Sequence, residues 1–125
     1  MDSYEINKDT VALIPKDERQ TIVYEVDKSF VVDKKPLEIV EESCEYFGSS
    51  LEGRQIGTSK LIGFTHKVPV IVEESNELIF FPISSPESTK CIWISLKGFD
   101  SVEEQNGKTY IYLKSLLTNE KQINS

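Results

Sequence analysis

Histidine, tryptophan and methionine each occur once in this chain, and cysteine twice. With His66 as the sole imidazole, a Ser-His-Asp or Cys-His arrangement has no choice of base, and no enzyme activity is expected. Two thiols and one histidine fall short of the four ligands of a structural zinc site, so no metal and no cofactor is expected. Cys44 and Cys91 lie far apart in sequence, in a chain without an export signal, and read as buried thiols rather than a disulfide. No apolar run approaches the roughly 20 residues that span a bilayer. The N-terminal MDSYEINKDTV lacks both the basic start and the apolar stretch of a signal peptide. The expectation is a cytoplasmic protein with no membrane contact.

What is present suits one domain over residues 1–125: the length and apolar content support a single core. The net charge is −7, unevenly placed. Residues 1–52 carry thirteen acids against six bases, whereas residues 53–125 carry eight of each. Between Gly53 and Val72 there is no acid, and Arg54, Lys60 and Lys67 supply three positive charges. A local cationic strip of this kind can bind a polyanion even when the remaining surface repels it.

Strand patterns open the chain at TVALIP (10–15), QTIVYEV (20–26) and SFVVD (29–33), the last two separated by Asp27-Lys28, a gap fit for a tight turn. KPLEIVEESCEYFG (35–48) predicts a helix, with Pro36 at its first position and Gly48 at a left-handed stop. Leu37, Val40, Cys44 and Phe47 form its expected buried stripe, and Glu38, Glu41, Glu42 and Glu45 its solvated face. Strand signals return in VPVIVEE and ELIFFPI around Ser75-Asn76, in KCIWISL (90–96), and in SVEEQ and KTYIYL around Asn106-Gly107. Residues 118–125 are polar and expected to fray as a disordered tail. The expected fold is α+β: mainly antiparallel strands, as a sheet or partly open barrel, with one principal helix at about 36–47 packed on it.

GSSLEGRQIGT (48–58) has the glycine spacing of a phosphate loop but not its context. It lacks the lysine of a Walker loop, and its glycines follow a helix rather than a parallel strand. It predicts a helix stop and turn first. A backbone contact comes second, with Ser49 and Ser50 capping the turn and Arg54 holding a phosphate oxygen. Lys60, His66, Lys67, Lys90 and Lys97 extend this basic series, without any zinc-finger, RNP or basic-zipper fingerprint.

Read continuously, residues 35–95 carry KPL-I-V, SC, FGSS, GR, GT, HK-P, SN, I-FP, SS and C-WIS in that order, with SYEIN before and NGKT after. This order and spacing resemble the competence transcription factor family (ComK) of low-GC Gram-positive bacteria. The resemblance implies a nucleoid-associated regulator of DNA-uptake genes. Such a protein would bind AT-rich double-stranded promoter boxes through the minor groove, as a homodimer or dimer of dimers. Arg54, Lys60, His66, Lys67 and Lys90 become expected groove and phosphate contacts, and Ser49, Ser50 and Thr58 expected backbone contacts. Family chains run on through a basic C-terminal region implicated in activation and in recognition by an adaptor that delivers the protein to a protease. This sequence stops at Ile123-Asn124-Ser125. The alternative expectation is therefore a shortened, non-activating paralogue or dimerisation module that pairs with a full-length family member without binding DNA.

Overall fold

β-branched and aromatic residues at alternate positions set the first three strands, β1 (Thr10–Pro15), β2 (Thr21–Glu25) and β3 (Ser29–Val32). The computed structural model describes residues 1–48, 69–83, 88–114 and 120–124. The helix α1 (Pro36–Tyr46) follows, and then β4 (Val70–Glu73), β5 (Leu78–Pro82) and β6 (Trp93–Ser95). These six strands form one antiparallel sheet in the order β3-β2-β1-β6-β5-β4. β7 (Phe99–Gln105), β8 (Lys108–Lys114) and β9 (Glu120–Asn124) make a second, three-stranded antiparallel sheet. The result is the expected mainly antiparallel α+β fold, realised as sheets.

The helix starts where the sequence places it. Pro36 occupies the first turn, and the Glu38 carboxylate accepts from the Lys35 backbone N–H at 3.0 Å. Gly48, at φ +73°, supplies the left-handed stop. The buried stripe is rotated from expectation. Ile39, Val40, Ser43 and Cys44 are buried, while Leu37 and Phe47 only flank the core. The reason is Ser43, whose hydroxyl accepts from the Ile6 N–H at 2.9 Å, so a polar side chain takes a core position at no loss of hydrogen bonding.

Core side chains lie on both faces of the large sheet. Leu13, Val23, Val32, Val72, Phe80 and Trp93 pack with α1 in one cluster; Val11, Ala12, Phe81 and Ile94 form the other. A bulge in β1 between Thr10 and Ala12 explains why Val11 and Ala12, adjacent in sequence, join the same cluster. Gly98 passes directly over this bulge, where a Cβ would lie 2.7 Å from Val11 Cγ1 and 3.1 Å from Val11 Cα.

Two further expectations change. The strand expected over 90–96 is only Trp93–Ser95, because a turn bond from Cys91 N–H to the Ser88 carbonyl (3.2 Å) holds the preceding residues. The polar tail expected to fray instead pairs through Glu120–Asn124 with β8, Ile123 opposite Ile111. Backbone ladder bonds along a strand edge form whatever the polarity of the side chains. Asn106 and Gly107, at φ 54° and 77°, make the expected hairpin turn.

Candidate nucleic-acid interface

The antiparallel topology sorts the loops to two ends of the large sheet. One end carries the β1–β2 turn, because Pro15 pairs with Thr21. The same end receives residues 88–92, since β6 runs against β1 with Trp93 opposite Leu13. β4 also begins here, Val70 facing Phe80. The other end holds the β2–β3 and β4–β5 turns. α1 runs from the first end to the second: Thr21 bonds the Lys34 carbonyl before the helix, and Ser43 meets Ile6 near its close. Gly48 and Val70 therefore stand at opposite ends of the sheet.

Ser49, Ser50, Arg54, Thr58, Lys60, His66 and Lys67 lie outside the described residues. Of the predicted interface, Lys90 alone is placed. It is exposed in the turn before β6, its N–H donating to Ser88 Oγ at 3.1 Å. His66 and Lys67 precede Val70 in the sequence by four and three residues, and Val70 begins a strand at the end that carries Lys90.

Lys90 borders a groove of about 380 Å³ lined also by Ile14, Pro15, Lys16, Asp17, Glu18, Thr89 and Ile92. Beside it, Asp17, Glu18, Arg19, Gln20 and Asp33 line a second depression of about 600 Å³. Lys16 and Arg19 are cations that sequence reasoning passed over, since KDER mixes both signs within four residues. The only available cue was position, immediately after the proline that closes β1. Asp17 has a structural duty here: its Oδ1 accepts from the Arg19 N–H at 2.8 Å and shapes the turn.

The helix offers nothing basic. Glu38, Glu41 and Glu45 are exposed, and Glu42 is held by Lys34 Nζ at 2.5 Å, a contact that raises the lysine's pKa. An anionic helix face is the wrong sign for the major groove of a duplex.

A buried polar cluster at the other end was also missed. Tyr4 Oη donates to Glu25 Oε2 at 2.5 Å and shares a proton contact with Thr10 Oγ1 at 2.6 Å, and Asn7 Nδ2 donates to Tyr4 Oη at 3.1 Å. Glu25 is itself buried, with Lys28 3.7 Å from its second oxygen. Burial and the carboxylate bond push the Tyr4 phenol well above the ordinary range, so it stays a proton donor. With Asp33 N–H donating to the Met1 carbonyl at 2.7 Å, these bonds tie residues 1–7 across β3 and β2. The cluster fastens the N-terminus rather than exposing reactive groups. Alternating polar and apolar residues in SYEIN was its only trace in the sequence.

Among the described residues, no group of three or more His, Cys, Asp or Glu is arranged to hold a metal, and no helix is long and apolar enough to cross a membrane. Comparison with known proteins adds the remaining information. The model of the ComK protein family matches residues 1–124. The competence transcription factor of Bacillus subtilis (strain 168) is 38% identical over 122 residues, covering 87% of this chain and 64% of that protein. The chain thus spans just under two thirds of the length of the curated relative it matches. No solved structure matches it.

Proposed function

The chain belongs to the ComK family, and from that premise we propose that it is a DNA-binding transcriptional regulator of competence genes. The observation that carries this reading is the 38% identity to a competence transcription factor. In this reading it binds AT-rich promoter boxes through the minor groove, as a homodimer or a dimer of dimers, in the cytoplasm at the nucleoid. Arg54, Lys60, His66, Lys67 and Lys90 meet the groove and its phosphates, and Ser49, Ser50 and Thr58 the backbone. Two features support the minor groove. The one helix among the described residues lies on the sheet with a glutamate-bearing outer face, so it is no recognition helix. Narrow A-tract grooves concentrate negative potential and draw in arginine and lysine from loops, which suits the acid-free stretch between Gly53 and Val72.

A gel shift with an AT-box duplex tests this. Retention is expected at low salt, weakening by about 0.9 in log–log slope for each phosphate neutralised, and yielding to a minor-groove drug. Arg54→Ala should weaken retention at every salt concentration. Absence of retention at low salt refutes the reading.

The net charge of −7 favours one second reading, a module that pairs with a full-length family member without touching DNA. Sedimentation of the mixture separates the two: mixed dimers without duplex binding support the module.

A further inference from the structure

Resting on the DNA-binding reading, we propose that Lys16 and Lys90 together clamp one backbone phosphate of the bound duplex. β1 and β6 pair with Ala12 opposite Ile94 and Leu13 opposite Trp93. Lys16 follows β1 at the start of the β1–β2 turn, and Lys90 precedes β6 in the turn closed by Cys91 and Ser88, so the pairing brings both to the same end of the sheet. Both are exposed, both border the groove of about 380 Å³, and Ile14, Pro15 and Ile92 supply apolar surface between them. Among the described residues, neither ammonium is engaged in an ion pair.

Two like charges bordering one groove repel each other when nothing neutralises them. An anion seated between them removes that repulsion. A phosphodiester suits the groove in two respects: its oxygens accept from two ammonium groups at once, and the attached deoxyribose brings an apolar edge to the isoleucines and proline. Thr89 lines the same groove and adds a hydroxyl donor. Glu18 lines it too and opposes the anion, which gives the clamp a second handle. Lys90 was already an expected contact; Lys16 is the new one, and with it the β1–β2 turn joins the interface.

The test is a salt-titrated gel shift of the AT-box duplex with the parent chain, Lys16→Ala, Lys90→Ala, Glu18→Gln and a control, Lys8→Ala. Lys8 is exposed and lies at the opposite end of the sheet. Lys16→Ala and Lys90→Ala should each make the log–log slope shallower by about 0.9. That corresponds to about 3.5-fold less affinity lost between 50 and 200 mM salt. Because both ammonium groups are needed to hold that one phosphate, the double variant should lose little more slope than either single one. Glu18→Gln should bind more tightly than the parent, and Lys8→Ala should keep the parent's slope. If the parent binds and Lys16→Ala keeps its slope, the clamp is wrong and the DNA reading stands. If the parent itself fails to bind, both fall.

Discussion

Removing one oxygen atom, in Tyr4→Phe, tests how the N-terminal segment is held. The substitution keeps the ring and its edge-on contact with Phe30, whose centroid lies 5.4 Å away. It deletes the 2.5 Å bond to Glu25 and the contacts to Thr10 and Asn7. Bonds to a charged partner contribute about 1.5–3 kcal/mol, and Glu25 retains the Asn7 amide at 3.3 Å and Lys28 at 3.7 Å. A loss of about 2 kcal/mol is therefore expected. For a chain between the small and large size classes this lowers the thermal midpoint by about 6–10 °C.

Trp93, the sole tryptophan and fully buried, reports unfolding by fluorescence without an added label. In a Glu25→Gln background the same change should cost about half as much, since a bond to a neutral amide is roughly half as strong. Alkali gives an independent reading. The folded phenol titrates above its ordinary value of 10.0, so the folded state keeps a proton that the unfolded chain releases. Its contribution is complete below pH 10 and should decline above it, by at most about 1.4 kcal/mol per pH unit. Tyr4→Phe should lack that part of the decline. A variant within about 0.5 kcal/mol of the parent, with an unchanged alkaline limb, would refute the account of the cluster.

Three further outcomes follow from the backbone and the turns. Gly98→Ala should cost about 1–3 kcal/mol, because its methyl would meet Val11 Cγ1 at 2.7 Å; Val11→Ala in the same chain should recover part of the loss in urea unfolding. Glu77→Gly should raise stability by about 1 kcal/mol, since Glu77 sits at φ 56° in the β4–β5 turn, where a side chain is strained. Glu73→Gln should weaken that turn above the ordinary carboxylate range and not at low pH. Its carboxylate accepts from the Ser75 hydroxyl and N–H and from the Asn76 N–H (2.7 Å), bonds that lower its pKa. The stabilisation is therefore present above the unfolded pKa and lost as pH falls through the folded one, which unfolding midpoints at pH 7 and pH 3 would resolve.

The sequence by itself determined the local architecture and the kinship. Pro36 and Gly48 bounded the helix, Asn106-Gly107 and Ser75-Asn76 marked hairpins, and the ordered motifs from KPL to C-WIS pointed to the family that residues 1–124 match. These features are legible because each depends on the sterics and hydrogen bonding of residues a few positions apart. Tertiary structure alone decided what depends on partners remote in the chain. It set β6 beside β1, and so Lys90 and Lys16 on one groove; it buried Ser43 under Ile6, Tyr4 against Glu25, and Gly98 over Val11; and it gave the polar tail an edge to pair with. No local pattern encodes such contacts, because the free energy that selects one long-range pairing is a sum over many side chains brought together only when the whole sheet has formed.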